Sequence, residues 1–226
     1  MDKIIEQVTD WVYLQSLPDR NAGFTLVMEQ KLCGEQYNIC SYTNDEMKRS
    51  LSLLYDNATK DFLVLVKVGL TEFYDISFIT PDINVMEKNL RMRLEPTLLD
   101  LSGTQEREYE SIFRAKNILE WPYTAKLPDE VAGFKLFINP QQALKAINGS
   151  YIIVDYSDFT AASNLLIYYN VYRDEFFGEL RLRMTPMMTG LFDARELDEL
   201  ANKMDTNLIS SLDSLRDMIV KAEVEE

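Results

Sequence analysis

The chain has 226 residues and no histidine. That absence removes Ser–His and Cys–His nucleophile pairs, histidine-ligated metals and histidine pH switches. Glycine is scarce at eight, and none falls into G-x-G-x-x-G, G-x-x-x-x-G-K-[ST] or G-x-S-x-G. The standard dinucleotide, P-loop and α/β-hydrolase readings are therefore out. Two cysteines, Cys33 and Cys40, are too few for a four-thiolate zinc site or a disulfide framework. They are expected as free thiols, with pairing across a hairpin as the alternative. The sequence points to no cofactor, no metal and no carboxylate- or lysine-based chemistry.

Long apolar runs are missing too: no stretch approaches the ~18 residues a membrane span needs. The N-terminus, MDKIIEQVTDWVYL, carries acids where a signal peptide carries bases, so a cytoplasmic location is expected. Basic charge is the last shortage. There are 23 Lys and Arg against 37 Asp and Glu, a net charge of −14. The excess divides evenly between residues 1–120 and 121–226, so it belongs to the whole chain and not to an acidic tail. Such a surface repels phosphate backbones and anionic membranes, which excludes direct nucleic-acid backbone binding and suits a basic partner or plain solubility.

What the sequence does have is a stretch that occurs twice. Residues 11–24 read WVYLQSLPDRNAGF and residues 121–134 read WPYTAKLPDEVAGF, identical without a gap at eight of the fourteen positions. Both tryptophans of the chain are included. Self-similarity of this kind implies a repeated structural unit. A second match aligns Leu53–Asp61 with Leu166–Asp174, so that Asn57, Lys60 and Asp61 at one hairpin tip meet Asn170, Arg173 and Asp174 at the other.

Each half reads as a helix, a run of strands and a closing helix. Ile4, Ile5, Val8 and Trp11 share a helical face, and residues 105–120 form the matching helix, capped by Thr104 and ended by Pro122. Short β-branched and aromatic runs follow at 24–28, 37–42, 51–55, 62–68 and 73–79, then at 135–138, 151–156, 164–172 and 176–184. Short turns between them predict antiparallel meanders. Residues 139–149 read as a helical insert. Thr80-Pro81-Asp82 starts a closing helix that Pro96 interrupts. The Asp193/Glu196 capping box starts a second helix of some 28 residues, which either breaks near Asp205 or reaches beyond its own sheet. One ambiguity stays open: LRMRL at 90–94 resembles LRLRM at 180–184, so residues 82–94 are a helix or a strand.

The predicted fold class is therefore α+β. It is a tandem duplication of an antiparallel-sheet domain with four to five strands and flanking helices, the copies spanning 1–103 and 104–226 and related by a pseudo-twofold axis. Four groups of residues are candidates for a site. The aromatics of the signature either line a groove or pin each first helix to its sheet, and the structural role is favoured. Arg181 and Arg183, two apart on a predicted strand, share one face and form either an anion site or intramolecular ion pairs. The hairpin tips are explained by turn chemistry alone. Tyr168 and Tyr169, in the aromatic-rich second half, face opposite sides of their sheet, and one of those sides is the place to seek a partner. The expected function is a non-enzymatic binding or adaptor protein that engages another protein. The alternative is a small-anion binder or carboxylate-dependent enzyme working in a cleft between the repeats.

Overall fold

A computed structural model describes residues 1–103, 109–146 and 149–224. It is an α+β protein of two compact units, Met1–Arg107 and Glu108–Glu226, each with its own antiparallel sheet.

The first unit opens with α1 (Asp2–Thr9) and the single turn α2 (Val12–Gln15). Then come β1 (Arg20–Asn21), β2 (Phe24–Cys33), β3 (Gln36–Asn44), β4 (Arg49–Asp56), β5 (Asp61–Val68) and β6 (Thr71–Tyr74), paired in sequence order. A 3₁₀ turn at Ile76–Phe78 leads to α3 (Ile83–Ser102). The Asp82 side chain caps α3 by accepting from the N–H groups of Asn84 and Val85, which places the cap two residues later than Thr80. Residues 82–94 are thus resolved as helix. Pro96 does not end it. The helix runs six residues further because Pro96 lies on the exposed face, while Leu90, Leu94, Leu98 and Leu101 stay buried beneath it. Burial of that stripe outweighs the backbone bond that proline removes.

The second unit has α4 (Ser111–Ala115), 3₁₀ turns at Ile118–Glu120 and Pro122–Lys126, β7 (Glu130–Val131) and β8 (Phe134–Ile138). A 3₁₀ turn at Pro140–Gln142 precedes β9 (Leu144–Lys145), β10 (Ser150–Asp158), β11 (Ser163–Asn170), β12 (Glu175–Leu182), β13 (Thr185–Ala194) and α5 (Leu197–Val224). Over residues 109–120 the predicted helix is corrected to α4 plus a 3₁₀ turn, because Asn117 takes a left-handed φ of 54°; its expected start at 105–108 and its expected cap Thr104 lie outside the described residues. The helical insert expected at 139–149 is, over the described residues 139–146, one 3₁₀ turn followed by β9. Ala143 and Leu144 drop into the interior there, and the Tyr109 hydroxyl donates to the Ala143 carbonyl. Helix α5 is unbroken through Asp205–Asn207. Its start owes nothing to Asp193, which belongs to β13; Glu199 reaches back to accept from the Arg195 N–H instead.

The strand count also departs from expectation, six and seven in place of four to five. The surplus comes from the two-residue strands β1 and β7, the short β9, and β13. No strand is expected at β13, which carries Pro186 and Gly190, but an edge strand tolerates both.

Each sheet packs its helix on one face. In the second unit Leu200, Met204, Leu208, Leu212, Leu215 and Ile219 of α5 are buried in the same core as Tyr156, Leu165, Ile167, Tyr169, Phe176 and Phe192. In the first, Met86, Leu90, Leu94, Leu98 and Leu101 give α3 a buried stripe at the same spacing.

The backbone details of the two units agree closely. Ala22 and Gly23 have φ of 49° and 84°; Ala132 and Gly133 have 51° and 83°. The Tyr42 hydroxyl donates to Pro18 O at 2.8 Å, and the Tyr156 hydroxyl to Pro128 O at 2.7 Å. The register of β3 shifts between Asn38 and Cys40, that of β10 between Ile152 and Val154, so Ile39 and Ile153 are the extra residues and both are fully buried. The Asn57 N–H donates to Glu35 O and the Val171 N–H to Gly149 O. From the bulges onward equivalent residues lie 114 apart. This corrects the hairpin alignment by one residue. The side chain that organises the turn is Asp56 in one unit and Asn170 in the other, each accepting two backbone N–H groups. The left-handed residues are Lys60 and Asp174. In this register Tyr55 packs edge-on to Phe62 at 5.0 Å and Tyr169 packs on Phe176 at 4.9 Å, the same cross-strand pair twice.

Candidate functional site

The face of the second sheet turned away from α5 carries most of the candidate residues. Strand pairing sets Asn164 beside Arg181 and Pro186 in one row across β11, β12 and β13, and Asp155, Leu166, Glu179 and Met188 in the next row across β10–β13. A third row pairs Ile152 with Tyr168 and Phe177. Tyr168 and Phe177 stack at 4.9 Å with 15° between their planes. Tyr169 lies on the opposite face, fully buried in the α5 core, where its hydroxyl donates to Asp174 at 2.7 Å. The two tyrosines therefore serve opposite sides of the sheet, as alternation along a strand requires.

Arg181 and Arg183 do not stand side by side. Strand β12 ends at Leu182, and Arg183 and Met184, at φ of 49° and 66°, are the two central residues of the tight turn to β13. A turn of this hand follows the twist of the flanking strands, so the last two residues expected of β12, Arg183 and Met184, are lost to the hairpin. The Arg183 N–H donates to Ser163 Oγ. Arg181 is held in the sheet face: its Nε lies 2.5 Å from Glu179 Oε1, with both side chains about 15% exposed, and its Nη2 is 3.4 Å from the Tyr168 hydroxyl. Residues two apart on one strand have here produced an ion pair between Glu179 and Arg181, not between an arginine pair and a ligand.

The residue that sequence reading passed over is Asp155. It is fully buried on this face, and its Oδ1 accepts from Ser157 Oγ at 2.6 Å and Asn164 Nδ2 at 3.2 Å. Its Oδ2 and the Asn164 Oδ1 have no hydrogen-bond partner among the described residues. Burial pushes the Asp155 carboxyl up to about 6, against the lowering effect of those two hydrogen bonds and of the Arg181 charge. A signal was there: Asp155 interrupts the run Tyr151-Ile152-Ile153-Val154, where every neighbour asks for the interior.

The signature aromatics are structural in position. Trp11 and Tyr13 have ring centroids 5.8 Å apart, and Trp121 and Tyr123 5.0 Å, all four buried. The hairpin tip of the second unit is likewise bound up in its own unit. Hydrogen bonds from Tyr169 and Lys116 hold the Asp174 carboxyl below its ordinary range, and Lys116 also reaches Glu196 and the Arg195 carbonyl. Cys33 lies opposite Gln36 and Cys40 opposite Met28, so the two thiols do not face each other; both are free, Cys33 exposed and Cys40 buried.

Among the described residues no group of three or more His, Cys, Asp and Glu side chains is placed to hold a metal ion, and no helix is long and apolar enough to cross a membrane. One edge of this sheet is β13, whose only strand partner among the described residues is β12. From Thr185 to Phe192 it has no charged residue, with Met188 69% and Leu191 48% exposed. No family model, curated protein or solved structure matches this chain.

Proposed function

We propose that this chain is a non-enzymatic adaptor, built by tandem duplication, that binds an extended segment of another protein along β13. The observation that carries this reading is the character of that edge. A long strand that is free of charge from Thr185 to Phe192 and exposes methionine and leucine presents backbone groups and apolar side chains together, the combination that strand addition uses. The equivalent strand of the first unit, β6, is four residues long and carries Glu72 in an ion pair with Lys67, devices that blunt an edge. The net charge of −14 favours a basic partner through electrostatic steering. Duplication is supported by the matched turns, bulges and tyrosine–carbonyl bonds described above, and it gives a history in which one copy kept a guarded edge and the other opened one.

The test is capture from lysate by immobilised full-length chain at low and moderate salt, beside the variant Met188→Lys. A protein retained by the parent and lost by the variant, with unchanged thermal stability, is the expected result. Equal capture by both, or none by either, would count against the proposal. The small-anion alternative draws less support, because Arg181 already has Glu179 as its partner. A metabolite screen by thermal shift separates the two, since a ligand that binds only the folded state raises its melting temperature.

A further inference from the structure

The opposite end of the molecule's strand inventory holds a second edge of different chemistry. Strand β2 is ten residues long, but β1 covers only its first two, and the Leu26 N–H is taken by Asp19 O. From Val27 to Cys33 all seven residues are exposed, and among the described residues their only strand partner is β3. Within that stretch Glu29 and Gln30 form a bulge opposite Ile39, with Gln30 at a left-handed φ of 43°.

The order of side chains around the bulge is self-complementary. Val27, Lys31 and Cys33 lie opposite Ser41, Asn38 and Gln36, on the face away from the α3 core, and Glu29 joins them by accepting from Ser41 Oγ and Asn38 Nδ2. Met28 and Leu32 lie opposite the buried Cys40 and Tyr37, on the other face. A twofold axis through Gln30 then sets Glu29 opposite Lys31 of a second copy and Met28 opposite its Leu32. Val27 falls opposite Cys33. Each match occurs twice, and both members of every pair share a face of the sheet. The backbone agrees. The Leu26 N–H faces this edge, so Met28, two residues on, faces it too. The tight turn at Gly34-Glu35 closes on the Cys33–Gln36 pair, which turns the Leu32 N–H and C=O outward.

We propose that β2 is a homodimerisation edge, pairing antiparallel with β2 of a second copy about Gln30 and joining the two sheets into one. A twofold contact must be self-complementary, and opposite charges and apolar side chains directly across a strand pair are what stabilise it. Gln30 at the centre is the bulged residue, left outside both ladders. The equivalent region of the second unit has no such edge, because β8 stops at Ile138 and the chain folds inward through Ala143 and Leu144.

The test is sedimentation equilibrium of the full chain between about 1 and 200 µM, the range of weak interfaces, with three variants. Lys31→Glu sets Glu opposite Glu on both sides of the axis and is expected to weaken the dimer at least tenfold. Adding Glu29→Lys to it restores opposite charges and dimerisation. Val27→Cys places two thiols within disulfide distance of Cys33 in the second copy, so mild oxidation yields a reducible dimer, while the parent, whose Cys33 faces Val27, does not. A parent monomeric over the whole range overturns the proposal and leaves the edge for a strand of another protein. A parent dimer indifferent to Lys31→Glu, with no Val27→Cys cross-link, overturns it as well, because the contact then lies elsewhere.

Discussion

The two units share a backbone plan and differ in what covers it. Where the plan needs a particular conformation, the residues agree: Ala-Gly in left-handed geometry after the Leu-Pro-Asp turn, a tyrosine hydroxyl on the proline carbonyl, a buried isoleucine at the bulge, an Asx residue opening the central hairpin. Where a side chain meets only its own neighbourhood, they part. Asp155 stands where the first unit has Ser41, Ala201 where it has Glu87, and Asp205 where it has Arg91. The lesson is that geometry constrains sequence more tightly than burial does, since a core tolerates exchange of apolar residues while a tight turn does not.

The comparison is most directly broken at the cross-strand aromatic pair. Phe62 and Phe176 are each at most 1% exposed and each packs on a tyrosine. Truncating either to alanine is expected to cost about 3–5 kcal/mol, with the two costs within about 1 kcal/mol of each other in urea unfolding. A cost below about 1 kcal/mol at either site would show that the matched pairs do different work.

Asp155 supplies the next effect, with the opposite sign. Its carboxyl sits at about 6 in the fold against an ordinary 3.8, so the folded state binds the extra proton between these values. Its contribution to stability is therefore greatest below about pH 4, falls as pH rises towards 6 and is level above it. Two pH units correspond to roughly 3 kcal/mol. Asp155→Asn removes the penalty and is expected to stabilise by about 1–3 kcal/mol at pH 7 and by little at pH 4. Urea midpoints at the two pH values check this. An equal effect at both would mean that the carboxyl is not the source.

Much of this architecture was legible in the chain. Alternation and turn residues located the central strands β3, β4, β5, β10 and β11 to within a few residues, because their β-branched and aromatic runs are bounded by Asn, Asp and Gly. Illegible parts share a cause: a residue's usual meaning was overruled by its surroundings. Pro96 sits inside a helix because it lies on the wet side of a buried leucine stripe. Pro186 and Gly190 sit inside a strand because that strand is an edge. Asn117 breaks a helix that the stripe of Tyr109, Ile112 and Phe113 suggests. Of the candidate site, the opposite facing of Tyr168 and Tyr169 followed from strand alternation, whereas the loss of Arg183 to a turn did not. An Arg-Met pair carries no turn signal, and only the pairing of Leu182 with Thr185 fixes it. Asp155 was visible as an acid in an apolar run, but the pairing that brings Asn164 of the next strand to it was not.

A smaller effect sharpens the comparison at the tyrosine hydroxyls. Tyr42→Phe and Tyr156→Phe each delete one hydrogen bond, to Pro18 O or Pro128 O, without changing shape. Each is expected to cost about 1 kcal/mol. Unequal costs would mean that the shared bond secures the Leu-Pro-Asp turn in one unit and is incidental in the other.

The smallest effect bears on why the units differ in pairs of residues. In the first unit Glu87 accepts from Trp11 Nε1 at 2.7 Å and pairs with Arg91 at 2.8 Å, and the Arg91 guanidinium lies 4.5 Å from the centre of the Tyr13 ring. In the second, the residue in place of Glu87 is Ala201, and Asp205 accepts from the Tyr123 hydroxyl at 2.8 Å. A carboxylate at position 91 beside Glu87 would be a like-charge pair one helical turn apart, which is unfavourable by a few tenths of a kcal/mol. Beside alanine it meets no such penalty. Arg91→Asp alone is therefore expected to destabilise by about 0.5–1 kcal/mol through the lost ring contact and that repulsion. In a Glu87→Ala background the same change should cost less, by about 0.5 kcal/mol in a double-mutant cycle. Strict additivity would sink the idea that the two positions changed together, and would leave each difference between the units to be explained singly.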